Sequence, residues 1–178
     1  MAFPQWRPGM ILTSDRMNAR NLYTVIQASD QVLTSETETY CDIEYELEAN
    51  AVYEYTMLIS YSAVRSGSGG AALGWKWDVP TGARVERFTS SYVQNPDSGV
   101  SSGALIIQRR PATTTLVQAG GSDTSSPPSN YHSAYDRGVV LTYTTPGMLR
   151  LQVSKFSSGS NPILRGGNQT RLLIRRIK

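Results

Sequence analysis

A serine, an aspartate and a histidine occur in the chain order of the catalytic residues of α/β-hydrolases. Residues 99–103 read GVSSG, the pattern that places a nucleophilic serine on a sharp turn, and Asp123 and His132 follow. The mechanism requires a strand before the serine and a helix after it. Here Ser101 lies in a Ser/Gly-rich stretch that leads into an apolar, β-like segment at 105–107 (LII). We therefore predict that the chain is not an enzyme and has no catalytic residue.

A second motif concerns phosphate binding. Residues 67–72 (GSGGAA) are similar to a relaxed dinucleotide fingerprint, whose glycines let the backbone approach a pyrophosphate at a helix N-terminus. No helical pattern follows, because Trp75 and Trp77 alternate with polar residues as in a strand. The glycines are better explained as a turn, and we predict no cofactor.

Metal sites are also disfavoured. His132 is the only histidine and Cys41 the only cysteine, so the chain has neither a multi-histidine site nor an internal disulfide. We expect His132, beside a Pro-rich loop, at the surface. Asp42, Glu44 and Glu46 alternate along one predicted strand, where neighbouring side chains of one face stand about 7 Å apart, too far to share one small ion. A solvated acidic face is the interpretation we favour, with no metal.

Paired carboxylates could still serve a sugar-cleaving enzyme as acid and base. Nothing in the sequence selects a pair from the candidates, which are Asp78, Glu86, Asp97, Asp123 and Asp136. A glycan-active hydrolase therefore remains the alternative of another class.

The net charge of +3 is too small to indicate nucleic-acid binding, and no stretch reaches the roughly 18 apolar residues of a membrane span. We expect neither nucleic acid nor membrane insertion.

The elements that would position any site are strands. Apolar residues recur with period two in segment after segment, and turn residues separate the segments, as in an antiparallel sandwich or barrel. Ten segments are candidate strands, namely 23–27, 41–47, 51–63, 73–79, 84–88, 104–108, 114–118, 139–144, 148–156 and 171–177. We expect roughly eight or nine strands in the fold. We predict an all-β fold, an antiparallel β-sandwich that is jelly-roll-like and has an extended N-terminal arm.

Three local predictions accompany this fold. Residues 41–47 and 51–63 are expected to form a hairpin across a turn at 48–50. Ser14 or Asp15 could cap a short helical turn over 16–22. The longest loops, 90–102 and 120–131, are rich in Ser, Asn, Pro and Gly, and exposed loops of this kind often carry recognition.

Charge is distributed unevenly along the chain. Acidic residues concentrate between residues 36 and 54. The charged residues from Arg165 onward are all basic. Two such strands, set side by side or on neighbouring subunits, would attract, and we predict inter-subunit charge pairing by Glu44, Glu46, Arg171, Arg175 and Arg176. The alternative is that both are solvated faces that never meet, since exposed ion pairs contribute little.

The first residues differ from the rest in being apolar yet interrupted by proline. We predict a docking arm over 1–22, followed by a single β-sandwich domain over 23–178. The anchors would be apolar residues that are too broken up to form a core element, namely Phe3, Trp6, Pro8, Met10, Ile11 and Leu12. A disordered or self-packed terminus is the alternative.

Five short segments together resemble small virion structural proteins of actinobacterial phages, of the minor tail or exposed decoration type. They are 6–15 (WRPGMILTSD), 47–53 (LEANAVY), 77–83 (WDVPTGA), 147–152 (GMLRLQ) and 172–177 (LLIRRI). The resemblance implies a jelly-roll-like sandwich, a homotrimer fixed to the particle by its N-terminal arm, and loops that face outward.

From this resemblance we expect a structural component of a bacteriophage virion, made in the host cytoplasm and located in the particle. A minor tail, tail-tip or fibre protein for host attachment is the first expectation, and a capsid decoration protein that stabilises the shell is the alternative. The expected partners are other virion proteins of the tail or capsid, further copies of the chain and a host-surface glycan.

Overall fold

The computed structural model describes residues 9, 11, 21–64, 73–92, 105–110, 116–156 and 160–178. No helix occurs among them, so the predicted all-β class is confirmed. The predicted helical turn over 16–22 falls mostly outside the described residues. The strands are β1 Tyr23–Ile26, β2 Gln31–Val32, β3 Thr39–Leu47, β4 Val52–Ser62, β5 Leu73–Asp78, β6 Arg84–Tyr92, β7 Leu105–Arg110, β8 Val117–Ala119, β9 His132–Leu141, β10 Gly147–Lys155, β11 Ile163–Leu164 and β12 Arg171–Arg176.

The strands form two antiparallel sheets. The larger, eight-stranded sheet has the order β1-β12-β4-β9-β6-β7, and the short strands β11 and β2 extend it beside β4. The smaller, four-stranded sheet has the order β3-β10-β5-β8. Most pairings join strands that are distant in sequence.

Nested pairing of these strands defines a jelly roll. When β2, β6, β7 and β11 are set aside, the eight remaining strands pair first with last, second with seventh, third with sixth and fourth with fifth: β1 with β12, β3 with β10, β4 with β9, and β5 with β8. This is a long antiparallel ribbon rolled into two sheets, which is the double-sheet jelly roll. The β6–β7 pair is an insertion that widens the larger sheet beyond β9.

The predicted hairpin between residues 41–47 and 51–63 is wrong. β3 lies in the four-stranded sheet against β10, whereas β4 lies in the eight-stranded sheet between β12 and β9. The turn at Asn50, whose φ is +53°, carries the chain from one layer to the other. The hydroxyl of Thr142 holds this corner by donating to the carbonyl of Glu48 and accepting from the N–H of Ala51. Each strand has one apolar face that must be covered, and crossing layers sets these two faces against each other.

The core lies between the two sheets. It is filled by the apolar residues that alternate with polar ones along the strands. Trp75 and Trp77 are buried, as predicted for one face of a strand. Ile43 and Leu47 are also fully buried on the inner face of β3, while its acidic residues face outward. Burying an aromatic side chain of 150–250 Å² contributes about 4–6 kcal/mol at ~25 cal/mol per Å².

The two ends of the sandwich differ in their connections. At one end, which we call the short-connection end, the links are residues 48–51, 79–83, 111–116 and 142–146. At the opposite end, which we call the long-loop end, they are 27–38, 63–72, 93–104, 120–131 and 156–170, two of which contain the short strands β2 and β11. The chain enters β1 at the short-connection end, because Tyr23 pairs with Ile174 near the end of β12.

Candidate functional site

The outer face of the eight-stranded sheet combines arginine with large apolar side chains. The strand registers place Arg171, Leu58 and Tyr135 in one cross-strand row, and Arg137 and Phe88 in the next. Ile26 flanks the first row, because it pairs with Arg171. We call these six residues the basic face.

Several of these apolar side chains are exposed. Phe88 is 54% exposed, Ile26 41% and Tyr135 39%. Isolated surface apolar residues are ordinary, but three on one sheet face beside arginine resemble the composition of protein interfaces. Strand alternation gives the outward side of the larger sheet this character, and no described strand packs over it.

Charge on this sheet is only partly neutralised within the chain. Arg175 donates to the carboxylate of Glu54 from its neighbouring strand, and Arg84 pairs with Glu86. Arg137 stacks over the ring of Tyr135, with 5.3 Å between the guanidinium carbon and the ring centroid. Neither Arg137 nor Arg171 forms an ion pair with any residue that the structure describes. These two arginines therefore carry the positive charge of the basic face that no described carboxylate neutralises.

The outer face of the four-stranded sheet has the opposite charge. Asp42, Glu44 and Glu46 of β3 point outward, as predicted, and Asp78 of β5 lies in the same cross-strand row as Glu44. We call the surface formed by these carboxylates and Tyr40 the acidic face. Tyr40 is 49% exposed.

Hydrogen bonds and ion pairs organise the acidic face. Tyr40 donates to Asp78 over 2.8 Å, and Arg150 lies between Glu44, at 3.6 Å, and the ring of Tyr40. Asp42 accepts the backbone N–H of Ala28. Within the described part of the chain, Glu46 and Asp78 take part in no ion pair.

The structure places the residues predicted for inter-subunit charge pairing in two groups. Arg175 and Arg176 are already paired within the chain, with Glu54 and Glu48 respectively. Glu44 is also paired within the chain, with Arg150 at 3.6 Å, whereas Arg171 and Glu46 form no ion pair with a described residue. Pairing between subunits stays a prediction.

The predicted docking arm falls almost wholly outside the described residues. Phe3, Trp6, Pro8, Met10 and Leu12 are among the residues that the structure does not describe. Ile11 is described and is 79% exposed.

Arg165 joins several segments of the long-loop end. Its guanidinium donates to the Ser62 hydroxyl over 2.8 Å, to the Asp30 carboxylate over 2.7 Å and to the Pro128 carbonyl over 3.1 Å, and it stacks on the Tyr131 ring. A backbone N–H donated by Gly166, together with Arg165, lowers the pKa of Asp30. The single planar guanidinium of Arg165 thus holds together the end of β4, the loop before β2 and the connection that precedes β9.

The same connection contains the aspartate of the hydrolase-like motif. Both hydrogen bonds to the Asp123 carboxylate come from backbone N–H groups of its own loop, those of Ser129 and Asn130. His132 was predicted at the surface but is half-buried, with its ring 5.4 Å from that of Tyr61. Its Nε2 accepts the backbone N–H of Ser122 over 3.1 Å, and burial lowers its pKa.

These contacts give the Pro-rich connection a defined conformation. Ser101, the third member of the motif, lies outside the described residues.

An ion pair that sequence reasoning missed lies in the core. Arg87 and Asp136 have fully buried side chains 3.2 Å apart. The Asp136 carboxylate also accepts the hydroxyl of Tyr55 over 2.8 Å and the indole N–H of Trp75 over 3.0 Å. Burial raises the pKa of Asp136, which Arg87 counteracts, and burial also raises the pKa of Tyr55.

A signal for this pair was present in the sequence. Asp136 is two residues after Ala134 and four before Val140, so its side chain lies on the same face of the strand as these buried apolar residues. Arg87 likewise follows Val85 by two. Opposite charges at two core positions indicate a buried pair, since an isolated buried charge is too costly.

The carboxylates considered as catalytic pairs are not brought together. Asp136 is in the core, and Asp123 is buried in its loop. Asp78 and Glu86 lie on the outer faces of different sheets. Asp97 lies outside the described residues.

Among the described residues, no three His, Cys, Asp or Glu side chains are placed to hold a metal ion. None of these residues forms a helix with the length and apolar composition of a membrane span.

Comparison with known proteins gives no family. No protein-family model matches the chain, and no curated protein matches it. Among solved structures, that of the infectious bursal disease virus Gx strain aligns with 98% of this chain and 42% of the viral chain, at 13% identity and a TM-score of 0.33. The crystal structure of the infectious bursal disease virus VP2 subviral particle aligns with 98% and 45%, at 9% identity and a TM-score of 0.24.

The chain spans less than half the length of these viral chains. Scores of this size do not establish a common fold. The jelly-roll assignment therefore depends on strand order and pairing alone.

Proposed function

We propose that this chain is a structural component of a bacteriophage virion, and more specifically a minor tail, tail-tip or fibre protein. The N-terminal segment docks on the particle, and the long loops face outward for attachment to the host surface. The resemblance of five sequence segments to phage virion proteins supplies the class. A jelly roll supports it, because this architecture is common in capsid and lectin domains, although a fold alone never specifies a function.

The observation that carries the proposal is the polarity of the fold. The chain enters β1 at the short-connection end, and all five long connections leave from the opposite end. An arm that precedes β1 therefore starts from the end opposite the long loops. The Arg165 contacts stabilise the exposed end, which reduces the conformational entropy that a binding loop loses on contact.

Labelling of intact particles tests the proposal. Gold-conjugated antibody against the purified chain should mark the tail tip in electron micrographs. Label spread over the head would replace the tail assignment with capsid decoration, in which the same arm would clamp capsid subunits. Absence of label from purified particles, with the protein present in the infected lysate, would refute the virion role.

We further propose that the chain has no catalytic activity. Asp136 is sealed in the core, and both hydrogen bonds to the Asp123 carboxylate come from its own loop, so neither is presented to a substrate. Purified protein incubated with host-envelope polysaccharide should release no product. Turnover that disappears in Ser101→Ala would establish the hydrolase alternative instead.

A further inference from the structure

We propose that copies of this chain associate face to face, with the basic face of one copy seated on the acidic face of the next. The proposal takes its biological setting from the virion role above and names the partner as a second copy. The two faces lie on opposite sides of the sandwich, so the contact is heterologous: each copy uses one surface as donor and the other as acceptor.

Charge complementarity supports this occupant. Arg137 and Arg171 are the charges of the basic face that form no ion pair with a described residue, and Glu46 and Asp78 are their counterparts on the acidic face. Among the described residues, each face therefore carries charges that the opposite face of another copy could neutralise. A second copy of the chain supplies both faces.

The spacing of these charges also matches. Arg171 on β12 and Arg137 on β9 are separated by the intervening strand β4 and by one step of two residues. Glu46 on β3 and Asp78 on β5 are separated by β10 and by the same step. At roughly 4.8 Å between strands and 7 Å per two residues, both diagonals are about 12 Å. Two ion pairs can therefore form at once.

Apolar contact provides the rest of the interface. Phe88, Ile26 and Tyr135 are the exposed large apolar groups around the arginines, and Tyr40 stands among the carboxylates of the opposite face. Of the 17 basic residues in the chain, 14 are arginine and three are lysine. Arginine is more weakly hydrated than lysine and binds carboxylate in a bidentate manner, which suits a contact that excludes water.

Complementary charge reversal tests the contact. The full-length chain should self-associate in sedimentation velocity at up to about 100 μM, and added salt should weaken that association. Arg137→Glu with Arg171→Glu leaves two acidic faces, and Glu46→Lys with Asp78→Lys leaves two basic faces. Each double variant should associate at least about tenfold more weakly than the unmodified chain, because like charges oppose contact.

Mixing the two double variants distinguishes a specific contact from a folding defect. In the mixture every acidic face can meet a basic one, so complexes that contain both variants should form. Lys178→Glu, at the short-connection end, reverses a charge outside both faces and should associate as the unmodified chain does. Circular dichroism and thermal melting verify that each variant is folded.

A monomeric unmodified chain at these concentrations would overturn the inference, as would double variants that associate normally or folded variants whose mixture stays monomeric. These outcomes are independent of particle labelling. A labelled tail tip with a monomeric chain would refute this contact and support the virion role. Association of the chain without labelling of particles would support the contact and refute the virion role.

Discussion

Replacing Asp136 by asparagine perturbs the centre of the core with almost no change in shape. The substitution removes the negative charge but leaves an oxygen that can still accept the Tyr55 hydroxyl. Arg87, whose side chain is 0% exposed, then loses the carboxylate that lies 3.2 Å from it in the core. Removing one partner of a buried ion pair costs about 3–5 kcal/mol. For a domain of this size, that loss lowers the melting temperature by about 6–20 °C.

Urea denaturation measures the effect. Fluorescence of Trp75 and Trp77 reports on the core, and the first of these donates directly to Asp136. The matched control is Glu86→Gln, which removes a carboxylate from the Arg84–Glu86 pair, where the side chains are 59% and 41% exposed. That pair should contribute less than about 1 kcal/mol.

The pH dependence of Arg87→Met supplies a second measurement. Loss of the cation raises the pKa of Asp136 further above its ordinary value. A carboxyl group with a raised folded-state pKa stabilises the fold below its unfolded pKa and loses that contribution as the pH rises through the folded pKa. The difference in unfolding free energy between the unmodified chain and Arg87→Met should therefore grow between about pH 4 and pH 7.

Two results would refute this reasoning. One is an Asp136→Asn variant within about 1 kcal/mol of the unmodified chain, since that is the scale of an exposed pair. The other is an Arg87→Met difference that does not change with pH. Either would mean that the pair is hydrated in solution.

Three further predictions concern other parts of the fold. Burial raises the pKa of Cys41 to about 12, so native protein should react with iodoacetamide at least about tenfold more slowly than urea-unfolded protein. Arg165→Lys removes the planar guanidinium that donates to the Pro128 carbonyl. Hydrogen exchange should then show faster opening of the connection before β9. Gly138→Ala should prevent folding, because its Cβ would lie 2.1 Å from the Glu86 carbonyl oxygen; Gly167→Ala, where a Cβ meets nothing within 4 Å, should still fold by circular dichroism.

Sequence reasoning was most successful where the determining forces are local. Period-two alternation identified the inward and outward sides of β3, including buried Ile43 and exposed Glu44. It also placed Trp75 and Trp77 in the core. Successive side chains of a strand point to opposite faces, so a strand carries its own burial pattern wherever it is placed.

Pairing between strands could not be obtained in the same way. The short turn at 48–50 favoured a hairpin, yet β3 and β4 belong to different sheets. The neighbour with which a strand pairs depends on all the other strands that could pair along the same edge. Two of the twelve strands among the described residues, β2 and β11, fall outside the predicted segments for the same reason. β2 exists only by pairing with β11, and β11 pairs with β2 and β4.

The amino-acid sequence by itself determined the all-β class, the inward and outward sides of the strands and the separation of acidic from basic segments. Only the tertiary structure decided that these strands nest as a jelly roll, and that Arg87 meets Asp136 across 49 residues of chain. It also decided that Arg175 is paired within the chain while Arg171 forms no ion pair with a described residue. Alternation is a property of one strand, whereas charge compensation depends on the neighbouring strand that the completed sheet provides.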